Sequence, residues 1–276
     1  GDLDGDGVND LAVGATYDDA PTGERGTVHI LFMNTDGSVD SNVQINHLTT
    51  NGPTLAKEDF FGASIADIGD LDGDGVNDLA VGAHGRQAAG GGGGGNDRGA
   101  VHILFMNTDG SVDSTVEIND STTNGPTLVN DDFFGYSVAN IGDLDGDGVN
   151  DLAVGAYRDD MDESGDASGG TNRGTVHILF MNTDGSVDST VEINDSTTNG
   201  PTLENSDYFG SSVANIGDLD GDGVNDLAVG AYGDDGDGGD ERGAVHILFM
   251  NTDGSVDSTV EIDDSTTNGP MLTDAS

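Results

Sequence analysis

The chain has 276 residues, 33% of them apolar, with 46 glycines and no cysteine, so no disulfide framework holds it. Its 53 acidic residues against 7 basic ones give a formal charge of −46. Such a surface makes nucleic acid a poor partner, and a compact fold carrying it needs bound cations, high salt or both.

Self-similarity dominates the chain. The segment GDLDGDGVNDLAVGA stands four times unchanged, from Gly1, Gly69, Gly142 and Gly217. VHILFMNTDGSVDS also recurs four times, from Val28, Val101, Val176 and Val245. A Phe-Gly pair precedes the acidic segment three times, at Phe61-Gly62, Phe134-Gly135 and Phe209-Gly210. The units run approximately over 1–57, 58–130, 131–205 and 206–276, in one segment spanning 1–276.

Taken in chain order, the second unit predicts four strands. The first covers 61–70 and alternates apolar with small or polar residues. The second is LAVGA, 79–83. The third, 100–106, is apolar on both faces, as befits a strand covered on both sides. The fourth, 114–120, alternates Val116 and Ile118 with Thr115 and Glu117 and reads as a half-exposed outer strand. Asp109-Gly110 is a two-residue turn signal between the last two. Four antiparallel strands, repeated, make an all-β architecture of propeller blades. Ahead of Asp2 stands no Phe-Gly strand, so the first blade is expected to lack its inner strand. At the other end, NGPMLTDAS stops where the next Phe-Gly strand would begin. The expectation is an open arc of four blades, or self-association through its open edge. Length varies almost entirely between strands two and three, where repeat arrays place loops of one face.

The acidic segment carries the chemistry. In DLDGDGVND, carboxylates stand at positions 1, 3, 5 and 9, with Gly at 6 for a sharp turn. The four sets are Asp2, Asp4, Asp6 and Asp10; Asp70, Asp72, Asp74 and Asp78; Asp143, Asp145, Asp147 and Asp151; and Asp218, Asp220, Asp222 and Asp226. The carbonyls of Val8, Val76, Val149 and Val224, at position 7, are placed to be further ligands. Hard oxygen donors at this spacing suit calcium, one ion per loop and four in all. An EF-hand is excluded, because its position 12 is Glu leading into a helix. Here that position is Val13, Val81, Val154 or Val229, inside a short strand.

Phe-Gly, then GDLDGDGVNDLAVGA, then a Gly-Xaa-Val strand resembles the FG-GAP repeat of integrin α chains and of many bacterial surface proteins. The resemblance covers essentially the whole chain. It implies a β-propeller of about seven blades, of which four FG-GAP blades are present here as a fragment. It implies calcium in the hairpin joining the first two strands, and ligand contacts on the opposite face, where the variable loops lie. The Pro that ends the family's Gly-Ala-Pro is replaced by Thr16, His84, Tyr157 and Tyr232.

No constellation points to catalysis. His29, His102, His177 and His246 occupy one repeated strand position and are expected to be packing residues. Arg25, Arg98, Arg173 and Arg242 precede the Gly that opens strand three and are expected to pair with loop Asp residues. Lys57 is the single lysine. Asn119 and Asn194 fit the glycosylation sequon. Every polar group recurs in register, whereas catalysis needs one asymmetric site. The expected function is therefore an extracellular or cell-surface recognition and adhesion scaffold for a protein or glycan partner, not an enzyme. The alternatives are an accessory propeller of a secreted carbohydrate- or lipid-active enzyme, or a structural surface spacer. No apolar run approaches the roughly 18 residues that cross a bilayer, so direct membrane insertion is not expected.

Overall fold

A computed structural model of the chain describes residues 1–18, 23–87, 97–159, 172–234 and 242–270. The chain is all-β, and its described strands form four antiparallel sheets in sequence order. The first sheet holds β1 (Leu11–Ala15), β2 (Thr27–Met33) and β3 (Val39–Ile45). The second holds β4 (Ile65–Gly69), β5 (Asp78–Gly82), β6 (Val101–Met106) and β7 (Val112–Ile118). The third holds β8 (Ser137–Gly142), β9 (Asp151–Ala156), β10 (Thr175–Met181) and β11 (Val187–Ile193). The fourth holds β12 (Phe209–Gly217), β13 (Asp226–Ala231), β14 (Ala244–Met250) and β15 (Val256–Ile262). Each sheet is a simple meander, with three strands in the first and four in the others. Among the described residues the first sheet has no strand preceding its acidic loop.

One expectation is corrected. The fourth strand begins at Val112, Val187 or Val256 rather than two residues later. The connection is a three-residue loop, not a two-residue turn. Gly110 N–H donates to the Asn107 carbonyl, Asn107 N–H donates to that of Ser111, and Met106 pairs with Val112 across a bulge. Gly110 takes φ 76°, the left-handed residue that closes a type I turn in such hairpins. Asp109 caps the loop by accepting from the Ser111 amide and hydroxyl, at 2.9 and 2.6 Å.

The core lies between sheets. Val28, Ile30 and Phe32 of β2 pack against Val81, Leu104, Met106 and Val112 of the second sheet. Val101, Ile103 and Phe105 repeat this against Val154, Leu179, Met181 and Val187. Val176, Ile178 and Phe180 repeat it against Val229, Leu248, Met250 and Val256. The third strand thus presents Val, Ile and Phe to the next sheet, and Leu and Met to the previous one. At the junctions glycine meets glycine. A Cβ on Gly82 would stand 1.9 Å from the Gly135 carbonyl oxygen, and one on Gly155 1.9 Å from that of Gly210. The Gly of Phe-Gly and the Gly of Gly-Ala are therefore two sides of one close backbone approach.

Polar bonds fix the same spacing at both rims. On the outside, the Thr115, Thr190 and Thr259 hydroxyls donate to the carbonyls of Asn51, Asn124 and Asn199 in the preceding unit, at 2.8–2.9 Å. On the inside, the Asn150 and Asn225 amides donate to the carbonyls of Ile68 and Ile141, each at 2.9 Å.

Candidate metal loops and the opposite face

Each acidic loop leads into the strand that follows it, in three blades from an inner strand, and is folded by its own carboxylates. In the second blade, Asp70 accepts from the Gly73 and Gly75 amides at 2.8 and 2.9 Å. Asp72 accepts from the Asp74 amide and Asp74 from the Val76 amide, at 3.1 and 2.8 Å. Gly75, at position 6, has φ 95°, a conformation that side chains rarely adopt.

Position 9 plays another part. Asp78 is 1% exposed; one of its oxygens accepts from the Leu71 amide at 2.9 Å and the other from the Met106 amide at 3.0 Å. Asp10, Asp151 and Asp226 make the same pair of bonds. This carboxylate ties the loop to the third strand of its own sheet. Burial pushes the Asp78 and Asp151 carboxyls up to about 6, against the pull of those amides and with a push from the neighbouring Asp residues.

The structure brings the predicted residues together as acidic clusters. Single carboxylate oxygens of Asp70, Asp72 and Asp78 lie within 4.8 Å of one another, as do those of Asp143, Asp145 and Asp151, and of Asp218, Asp220 and Asp226. In the first loop the grouping is Asp2, Asp4 and Asp6. Asp74, Asp147 and Asp222 stay outside these groupings, as does Asp10. The donors are all oxygen, and no basic residue stands in any of the four loops, which fits a hard divalent cation.

The opposite end of each blade carries the variable connections. Their centres, 19–22, 88–96, 160–171 and 235–241, lie outside the described residues. Beside them runs a feature that sequence reading missed. Tyr17, Phe60, His84, Phe133, Tyr136, Tyr157, Tyr208 and Tyr232 form a continuous chain of ring contacts across all four blades. Tyr136 lies 4.3 Å from Tyr157 and Tyr208 4.6 Å from Tyr232, centroid to centroid. The Arg158 guanidinium lies over the Phe133 and Tyr157 rings at 5.0 and 5.4 Å. Tyr17 and Tyr232 are 73% and 53% exposed. The signal was present: aromatic residues follow Gly-Ala and flank Phe-Gly in every unit that has them.

The repeated histidines pack as expected. His102, His177 and His246 meet the Phe of their own Phe-Gly edge-on, at 5.3–5.5 Å. Their second neighbours differ. Asp234 lies 3.1 Å from His246 and Asp159 3.6 Å from His177. At the corresponding place beside His102 stands Arg86, which pairs with Asp59 and Glu117. Three of the opening arginines find loop carboxylates, as expected. Arg98, Arg173 and Arg242 pair with Asp120, Asp195 and Asp264, just past the fourth strand.

Comparison with known proteins agrees with this architecture. The FG-GAP repeat family model matches residues 1–31, 134–179 and 209–248. FG-GAP repeats occupy these three stretches of the chain. The second unit carries the same acidic segment unchanged from Gly69. Integrin alpha-5 of Xenopus laevis is 36% identical over 166 residues, covering 56% of this chain and 14% of the relative. Integrin alpha-PS2 of Drosophila melanogaster is 30% identical over 240 residues, covering 85% of this chain and 15% of the relative. Human integrin alpha-6 is 34% identical over 160 residues, covering 58% of this chain and 12% of the relative. The FG-GAP chain thus spans about one-seventh of the length of these curated relatives. Among its described residues, no helix is long and apolar enough to cross a membrane.

Proposed function

We propose that this FG-GAP chain is an extracellular, calcium-stabilised recognition and adhesion scaffold that binds a protein or glycan partner through the face of its variable loops. The observation that carries the reading is the division between two ends of the blades. One end repeats the same acidic loop four times. The other end varies, and it alone bears the aromatic run with Arg158 laid across it. Tyrosine-rich surfaces supply large contact areas at low entropic cost and are enriched among the residues that dominate binding energy. An enzyme would need one asymmetric constellation, and the acidic loops here recur in register from blade to blade. The match to integrin α chains supports an adhesive role.

Each calcium would be held by the Asp carboxylates of one loop, with the Val8, Val76, Val149 or Val224 carbonyl as a further ligand. The position-9 carboxylates would close the sites while anchoring them to the sheet. The bound ion would supply charge neutralisation and rigidity rather than chemistry. The test is binding of the purified chain to immobilised extracellular-matrix proteins and polysaccharides, with Tyr136→Ser and Tyr232→Ser as variants. Binding that falls about tenfold or more in the variants, at an unchanged melting temperature, is the expected result. Partner binding unaffected by both variants would place the contact elsewhere.

A further inference from the structure

Ahead of β4, β8 and β12 the backbone is strained three times in the same way. Glu58 and Phe60, Asp131 and Phe133, and Ser206 and Tyr208 all take left-handed φ, between 55° and 73°. Bulky side chains are disfavoured in that conformation, which glycine and asparagine adopt most readily. Elsewhere the chain follows that rule: Asn51, Asn124, Asn199 and Asn268, each just before a glycine, take φ 57–64°. At 60, 133 and 208 it sets an aromatic ring instead.

Between each strained pair stands a buried aspartate. Asp59, Asp132 and Asp207 are 0%, 2% and 3% exposed. A carboxylate oxygen of each accepts from the amide three residues earlier, that of Ala56, Val129 or Glu204, at 2.6–2.7 Å. The main-chain carbonyl of each accepts from the amide of Gly85, Arg158 or Gly233, at 3.1–3.4 Å. Those three residues directly follow His84, Tyr157 and Tyr232 of the aromatic run. At Gly85 and Gly233 a Cβ would stand 2.0 and 1.9 Å from the carbonyl oxygens of Glu58 and Ser206. Arg158 takes that place in the third unit, where the bond is the longest of the three. The aspartate thus staples the segment before the first strand of its sheet to the segment after the second. Ring then meets ring across the staple. Phe60 stacks on His84 at 5.2 Å and 15°, Tyr208 on Tyr232 at 4.6 Å and 7°, and Phe133 meets Tyr157 at 5.6 Å.

We infer that Asp59, Asp132 and Asp207 are positioning residues of the binding face, each holding a strained segment in the conformation that sets its aromatic ring into the run. The inference rests on the reading of that face as the place where a partner docks. Strain kept at an aromatic residue, where asparagine would relieve it, marks a functional position. Its product is a set of rings fixed before a partner arrives, which reduces the ordering needed on binding.

The chain has no tryptophan, and its five tyrosines, Tyr17, Tyr136, Tyr157, Tyr208 and Tyr232, all stand in the run. The tyrosine band in near-ultraviolet circular dichroism therefore reads this face and needs no partner. A failure to bind partners would remove the reading of the face and leave these spectra as they are. The test compares Asp207→Ala with Asp207→Asn, following the strands in the far ultraviolet. Asp207→Ala should lose most of the tyrosine band while the strand signal stays. Asp207→Asn should keep the band, because its amide oxygen still accepts from Glu204. A second pair removes the ring itself. Tyr208→Asn should melt above Tyr208→Ala, because asparagine accepts the left-handed backbone and alanine does not. A band unchanged in Asp207→Ala, a band lost equally in Asp207→Asn, a band lost only together with the strand signal, or a Tyr208→Ala chain as stable as Tyr208→Asn would each overturn the inference.

Discussion

At the scale of single residues, the loops and the buried histidines make different predictions. Asp74 accepts only from the Val76 amide in its own loop, so its removal leaves the turn largely intact. Asp74→Ala should reduce calcium stoichiometry from four to three by titration calorimetry, with the remaining sites unchanged. His102 is fully buried, and burial, with Arg86 nearby, depresses it from 6.5 to about 4 against the opposing pull of Glu117. Its folded-state value lies below the unfolded one. As pH falls below about 6.5 the unfolded chain takes up the proton first, and stability is lost progressively until about 4. His102→Leu should therefore change stability little at pH 7 and shrink the loss between pH 7 and 5, read from urea midpoints. An equal acid loss in variant and wild type would refute this. His246 differs, because Asp234 lies beside it at 3.1 Å, and the same substitution there would remove that contact.

At the scale of elements, much was legible and the remainder has identifiable causes. Strand order within a blade followed from alternation and from the run apolar on both faces. The clustering of acidic side chains in the loops followed from carboxylate spacing. The aromatic residues were visible beside Gly-Ala and Phe-Gly, but their joining into one run was not, because neighbours such as Tyr136 and Tyr208, both in contact with Tyr157, lie far apart in sequence. The bond from Asp78 to the backbone was hidden for a similar reason: its partner Met106 lies in another strand. The junction glycines offer a comparison within one sequence. A Cβ at Gly155 would meet the Gly210 carbonyl at 1.9 Å and the Ser137 hydroxyl at 2.3 Å, whereas one at Gly230 would meet only the Ser212 hydroxyl so closely, at 2.4 Å. A serine can turn away and a backbone carbonyl cannot. Gly155→Ala should cost roughly 2–4 kcal/mol, as overpacking does, and Gly230→Ala about 1 kcal/mol or less. Equal costs in denaturant unfolding would show that the blades are not held by this approach.

At the scale of the whole molecule, the proposed calcium would act on the charge. Extracellular calcium modules bind at ~0.1–1 mM. At tenfold excess over the dissociation constant each site would contribute about 1.4 kcal/mol, and four independent sites about 5–6 kcal/mol. That is comparable to the whole stability of a typical domain. Four ions would also neutralise eight of the 46 formal negative charges. Chelation should lower the melting temperature strongly at low salt and less at high salt, where repulsion is screened. A melting temperature indifferent to calcium at low salt would reduce the loops to ordinary turns.

Every junction between sheets uses the same residues in the same register, so a blade carries both the plug and the socket that its neighbours require. Lengthening the chain by copying one whole unit creates no surface that must be solved anew, and deleting one leaves the remaining surfaces matched. Selection is then free to act on the segments outside the junction. The sequence itself shows that division: GDLDGDGVNDLAVGA and VHILFMNTDGSVDS copied letter for letter, and the length variation gathered almost entirely into the connections between the second and third strands.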